Sequence, residues 1–246
     1  MSAEFRLGIQ SYCFRKFLPL EELMGALDEA GLSFVEIWPR HLSWDLDRAE
    51  QEQALAALKT RHFTMDSYGQ VRFSSDETQA RGVFEFAKLA GIRAITADVD
   101  PDAIEMLEGL TEEYGINLAV HNHGRKHRYG RFDQLQPIFN RTSKRFGLCL
   151  DTAWFLDAGC EPLEAVDRFA DRIYGVHLKD FVFDEGGNHE DVIIGTGGLD
   201  MPGLMRKLKA IGFNGYLSIE YEGDVDNPVP AVKECVQVAE EVIAGL

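Results

Sequence analysis

The sequence is short of positive charge, of paired cysteines and of uninterrupted apolar runs, and each shortage removes a class of function. Lysine and arginine number 25 against 41 aspartates and glutamates, a formal charge of −16 over 246 residues. Such a surface repels a nucleic-acid backbone or an anionic membrane, so neither is expected as a partner. The four cysteines, Cys13, Cys149, Cys160 and Cys235, are scattered without a C-x-x-C spacing, and Cys149 lies inside an apolar run. They read as small buried residues of a reduced, cytoplasmic protein and not as a disulfide or zinc framework. The start, MSAEFRLGIQSYCF, lacks a basic stretch followed by a long apolar one, and no window reaches membrane-spanning length without charges. No Pro/Ser linker divides the chain. QSYCFRKF, after the first apolar segment, is not the Gly-rich phosphate turn that an open nucleotide-binding sheet would carry there.

What the chain does have is alternation. Short β-type runs are expected at 7–11, 34–38, 63–67, 93–96, 117–121, 146–151, 173–177 and 216–220. Between them lie stretches such as PLEELMGALDEAG and DLDRAEQEQALAALKTR, with apolar residues at helical spacing, acids near the start and Gly or basic residues near the end. Eight strands alternating with eight helical patterns imply parallel pairing. The expected fold is α/β: one (β/α)8 barrel over residues 1–246, with its active site at the C-terminal mouth.

A repeat within the strands supports closure. Each ends in a triplet whose last member is polar: Gln10, Glu36, Asp66, Thr96, His121, Asp151, His177 and Glu220. These recur every 25 to 30 positions except for a step of 43 before the last. The middle residue is always bulky and apolar, and the first is small in all but the second triplet. Strand side chains alternate between faces, so the bulky residue is expected against the helices and the polar one inside, giving a ring of polar side chains at one mouth. Continued by two residues, the inward direction would present Tyr12, Trp38, Tyr68, Asp98, His123, Ala153, Lys179 and Glu222.

The last four triplets end in His121, Asp151, His177 and Glu220. Two imidazoles and two carboxylates suit one divalent ion that accepts mixed nitrogen and oxygen ligands. Taken singly, each has a plainer reading: a hydrogen-bonded histidine, a helix cap for Asp151 ahead of TAWFLDAG, a rim salt bridge for Glu220. Together, at equivalent positions on four strands, they point to a metal site.

GIQSYCFR, VEIW, HNHG, LCLDTAW, GVHLKD and LSIEYEG resemble the xylose isomerase-like TIM-barrel family of sugar phosphate isomerases/epimerases, which is related to ketose 3-epimerases, hydroxypyruvate isomerase and inosose dehydratase. The resemblance runs from about Leu7 to Glu222. It implies one divalent ion, Mn2+ or Zn2+ first and Co2+ or Mg2+ next, held by His121, Asp151, His177 and Glu220. Two departures stand out. Epimerase-type members have a glutamate where His121 stands, working with the last-strand glutamate as an acid/base pair. They also have a substrate-contacting histidine where Trp154 stands.

These readings lead to an isomerase or epimerase of a sugar or small hydroxy-ketone. A bound ion would stabilise an enediolate formed when a C–H next to a carbonyl loses its proton. Glu220 is the expected base, with Glu36 and His123 as alternative proton carriers. Lys179 would stabilise oxyanion charge or pair with Asp180 at the rim. Trp38, Tyr68 and Trp154 would line a sugar-sized pocket. The same site could serve a dehydratase of a keto-inositol or keto-sugar, or a non-catalytic sugar-binding barrel with a retained metal. The basic stretch GRKHRYGR, residues 124–131, is either an anion-attracting or a solvated loop, and FDEGGNHEDVIIGTGG has the length and glycines of a lid, with His189 exposed. The expected partner is a small carbohydrate; a homo-oligomer is compatible with the sequence.

Overall fold

A computed structural model describes residues 5–246. Its strands are β1 (Leu7–Gln10), β2 (Phe34–Ile37), β3 (Thr64–Phe73), β4 (Ala94–Val99), β5 (Asn117–His121), β6 (Phe146–Asp151), β7 (Ile173–Leu178), β8 (Asp180–Phe183), β9 (His189–Val192) and β10 (Tyr216–Ile219). Eight of them close into a parallel barrel in the order β1-β10-β7-β6-β5-β4-β3-β2. The remaining pair, β8 and β9, form an antiparallel hairpin where a lid-like loop was expected.

The helices are α1 (Leu20–Ala30), α2 (Arg48–Thr60), α3 (Glu77–Ala90), α4 (Ile104–Tyr114), α5 (Phe132–Arg141), α6 (Thr152–Asp157), α7 (Pro162–Phe169), α8 (Met201–Ala210) and α9 (Val229–Ala244). Several of their starts follow from side-chain caps. Asp47 and Glu50 form a reciprocal capping box on α2, and Asp76 accepts the amides of Thr78 and Gln79 on α3. At the other end, α1 stops at Gly31, whose φ of 86° suits a residue without a Cβ. No described helix is long and apolar enough to cross a membrane.

The strand triplets sort into two apolar layers. Ile9, Val35, Ile95, Val120, Leu150, Val176 and Ile219, the middle residues, belong to the large core between barrel and helices. A separate small cluster, Ala94, Ala119, Cys149 and Tyr216, fills the barrel interior. The expected polar ring is broken at β3. Between Val35 and Glu36 the pairing slips, so that Glu36 lies beside Ser67 and not Asp66. Asp66 is the extra residue. It pairs instead with Arg6 at 2.6 Å, in a small cavity with Arg93 and Asn117, which sit just before or at the start of β4 and β5, the end of the barrel opposite the polar mouth. A second slip, between Tyr68 and Val71, leaves Gly69 and Gln70 unmatched by β4.

Beneath the mouth the interior is tightly filled. The Tyr216 ring lies over Gly175, and its hydroxyl is 2.6 Å from Thr96 Oγ1. A Cβ on Gly175 would sit 1.8 Å from that ring. Gly175→Ala is therefore expected to cost about 1–3 kcal/mol through forced repacking, read as a lower denaturation midpoint; an unchanged midpoint would show that the layer is slack.

Candidate metal centre and active site

The ends of β5, β6 and β7 are clipped together by residues that follow the ligand-type side chains. Asn122 donates from Nδ2 to the Asp151 carbonyl at 2.9 Å and accepts the Asp151 amide at 2.8 Å. Thr152 accepts the Lys179 amide at 2.9 Å and donates to the Lys179 carbonyl at 2.5 Å. These clips extend the ladder past the last strand residues and so fix the direction of His121, Asp151 and His177. The HNH sequence thus divides its work: His121 faces inward, Asn122 joins two strands, and His123 stands on the wall above.

Four side chains converge. Ligand-capable atoms of His121, Asp151, His177 and Glu220 all lie within 4.8 Å of one another. His121 Nε2 is 3.0 Å from His177 Nδ1 and 3.5 Å from Asp151 Oδ2, while His177 Nδ1 is 2.5 Å from Glu220 Oε2. Asp151 Oδ1 caps α6 through the Trp154 amide at 2.8 Å, as the plainer reading has it, while Oδ2 is buried without a hydrogen-bond partner among the described residues. Unsatisfied buried carboxylate oxygens are rare and costly. Here one points into a set of two nitrogens and two oxygens, the donor set a divalent ion such as zinc or manganese accepts. The residues fit the ion.

Glu36 occupies a different place from the one expected. It is fully buried and lies beneath the cluster, off the cavity wall. Its Oε2 is 2.9 Å from His177 Nε2, its Oε1 accepts from Thr96 at 2.5 Å, and Ser218 Oγ is 3.4 Å away. With Nε2–H directed at Glu36, Nδ1 faces the cluster, so that on giving up its Nδ1 proton His177 would offer a lone pair to an ion, the arrangement that orients metal-binding histidines. Glu36 is a positioning residue.

The electrostatics follow from burial and neighbours. Burial, then His177, holds His121 down to about 3, and burial, then His121, does the same for His123, so both imidazoles are neutral. Burial opposes ionisation of Glu220, but His177 and Lys179 outweigh it and keep its carboxyl well below the ordinary range. Lys179 is fully buried; Glu220, Glu222 and Asp191 around it offset the cost of burying its charge. Its Nζ contacts Glu222 and is 3.5 Å from Glu220 Oε1 and 3.7 Å from Asp191. The expected pairing with Asp180 is absent. The Asp180 carboxylate instead accepts the amides of Gly195, Gly197 and Leu199, shaping the loop before α8. Lys179 therefore acts behind two carboxylates and not on the cavity surface.

A cavity of about 380 Å³ opens above the cluster, lined by Trp38, His121, His123, Trp154, His177 and Glu220 from the sequence reading. Gln10, Tyr12, Gln70 and Glu222 complete it. Gln10, Tyr12 and Glu222 stand on the inward-facing positions, and period two could have singled them out, as it could Gln70, two residues past Tyr68. The second slip brings Gln70 back to the mouth, and the slip at Asp66 turns Tyr68 away from it. Its ring is fully buried against Phe86, and its hydroxyl donates to the Leu42 carbonyl at 2.9 Å, so it packs the fold and does not line the cavity.

Two outcomes test this geometry. Glu36→Gln keeps the shape of the side chain but weakens its grip on His177, and should lower Zn2+ or Mn2+ affinity by about 10–100-fold in equilibrium dialysis while the protein stays folded; unchanged affinity would remove the positioning role. Burial raises Asp151 to about 6. An ion must displace that proton and also the one on His177, which burial opposes but Cys149, Glu36 and Glu220 hold well above the ordinary histidine range, so affinity should rise with pH from 5 through 7 and beyond; a flat profile from pH 7 to 5 would contradict the assignment.

Residues 24–242 match the family described as xylose isomerase-like TIM barrel. The rhizopine catabolism protein MocC of Rhizobium meliloti is 29% identical over 136 residues, a match that spans 48% of this chain and only 40% of that protein's length. Among solved structures, the IOLI protein with a bound zinc atom superposes with a TM-score of 0.79 at 19% identity, over 98% of this chain and 99% of that one. The 3-keto-D-glucoside 4-epimerase YcjR of E. coli gives 0.74 at 16% identity, over 97% and 100%. The closed barrel and the family match over most of the chain agree, and the chain belongs to the xylose isomerase-like TIM-barrel family.

Proposed function

We propose that the protein is a divalent-metal-dependent isomerase or epimerase of a keto-sugar or small hydroxy-ketone. The observation that carries this reading is the convergence of His121, Asp151, His177 and Glu220 on the floor of a cavity whose walls are aromatic and amide side chains. These four residues would hold a divalent ion, which would supply Lewis-acid stabilisation for the negative charge left when a C–H beside a substrate carbonyl is deprotonated. The chain's own groups supply the rest. Trp38 and Trp154 give the wall apolar surface for a sugar ring, and Gln10 and Gln70 offer amides to its hydroxyls. His177 and Lys179, outweighing burial, keep Glu220 ionised, the state in which it can take a proton. His123, neutral on the same wall, is a second acceptor. Returning the proton to the neighbouring carbon isomerises the substrate; returning it to the opposite face epimerises it. Zinc in IOLI supports the metal, and the keto-glucoside named for YcjR supports the substrate class.

Incubation with a panel of ketoses in deuterated water should wash deuterium into the carbon beside the carbonyl, and chelation should abolish exchange reversibly. Loss of a β-hydroxyl to give an enone would identify a dehydratase instead, and no exchange across the panel would remove the catalytic reading. Glu220→Gln should lower the exchange rate by about 10²–10⁴-fold without loss of the folded state; retained exchange would dismiss Glu220 as the base.

A further inference from the structure

We infer that a second chamber beside the candidate active site holds a glycosyl ring, so that the substrate is a keto-sugar carrying a second sugar and not a bare ketose. This rests on the reading just given and narrows it. The chamber, about 410 Å³, shares a wall with the first cavity: His123 and Trp154 line both. Each volume lies in the range of small-ligand pockets. A free ketose over the metal-ligand cluster would fill the first and leave the second to water.

The lining matches an amphipathic ring. Trp154 meets His189 edge-on at 4.9 Å, and His189 stacks on Phe181 at 4.2 Å with 14° between planes. Across the chamber His123 and His127 lie 4.4 Å apart. Flat π surfaces of this kind suit the C–H face of a pyranose. Asn188, Asp157 and the imidazole nitrogens add polar groups that suit its hydroxyl rim. His189, exposed as expected, also forms part of this wall.

The alternative occupant is an anion drawn by the basic loop, and the charges argue against it. Arg125 is 3.0 Å from Asp157 and also donates to the Gly187 carbonyl. Arg128 reaches Asp100 at 2.8 Å and Asp98 at 3.7 Å, and His127 lies 3.6 Å from Asp98. Lys126, exposed at the rim, is the one lining lysine or arginine without a carboxylate partner among the described residues. The loop's charge is spent on fastening the chamber. Through Arg125, three walls (the β5–α5 loop, α6 and the hairpin turn) are held in place before a ligand arrives, which reduces the entropic cost of binding.

Binding energy from a non-reacting ring can be expressed at the reacting centre, and truncated substrates then lose turnover. The test compares deuterium exchange of bare ketoses, fructose and 3-keto-D-glucose, with their glucosylated forms turanose, isomaltulose and 3-keto-cellobiose. The glucosylated forms should show kcat/KM about tenfold or more higher, and Asn188→Tyr, which fills the chamber, should bring that ratio toward one. Saturation-transfer NMR, which needs no turnover, should show the glucosyl protons of isomaltulose in contact with the wild-type protein and lose that signal in the variant. Equal or better exchange of bare ketoses, or a ratio that survives Asn188→Tyr, overturns the inference while leaving the metal-dependent reaction intact. So does preference for fructose 6-phosphate that disappears in Lys126→Gln. If no ketose exchanges at all, the proposed reaction fails and the NMR contact alone decides whether the ring is bound.

Discussion

The His177 imidazole is the joint on which the site turns. Its two nitrogens face in opposite directions, Nε2 toward buried Glu36 and Nδ1 toward Glu220 and His121. A ring free to rotate would offer the cluster either nitrogen, protonated or not. The hydrogen bond to Glu36 removes that freedom, and Thr96 and Ser218 in turn hold Glu36. In a low-dielectric interior such a chain is strong when complete and costly when any member is missing. The polar layer under the mouth therefore determines the geometry of the layer above it.

Around that joint the chain separates alignment from chemistry with the strand's own period. Ligand-type residues point inward, and the next residue along, Asn122 or Thr152, points sideways into the neighbouring strand end and fastens it. Charge is handled in the same local way. The ammonium of Lys179 is dry, but it is flanked by three carboxylates, so neither sign is left alone in the interior. An acidic protein can in this way keep a cation at the heart of its active mouth.

The parts legible in the sequence are those where period two holds through the closing triplet. β5, β6 and β10 obey it, β7 does so past a slip at Tyr174 that precedes its triplet, and His121, Asp151, His177 and Glu220 meet as the triplets imply. β3 does not obey it. Two extra residues, invisible to a pattern of apolar and polar letters, send Asp66 to the opposite end, bury Tyr68 and bring in Gln70. Glu36 was marked by its position but not by its role, because its partner is 141 residues away and the distance depends on how the barrel closes. The hairpin reads as a loop because glycine and acids dominate its turn and its second strand, His189–Val192, has one β-former, Val192, against Phe181, Val182 and Phe183 in the first. Ion pairs across the mouth, such as Arg125 with Asp157, depend on loop paths that no periodicity encodes.

The hairpin has a consequence of its own. Its ladder is antiparallel and pairs only with itself, so its length is not tied to the register of the eight barrel strands. An insertion or deletion at its tip would change the outer chamber while leaving the ligand-type side chains where they are. The barrel thus carries beside its mouth a module whose length can change without shifting the eight strands or the four side chains they bring together.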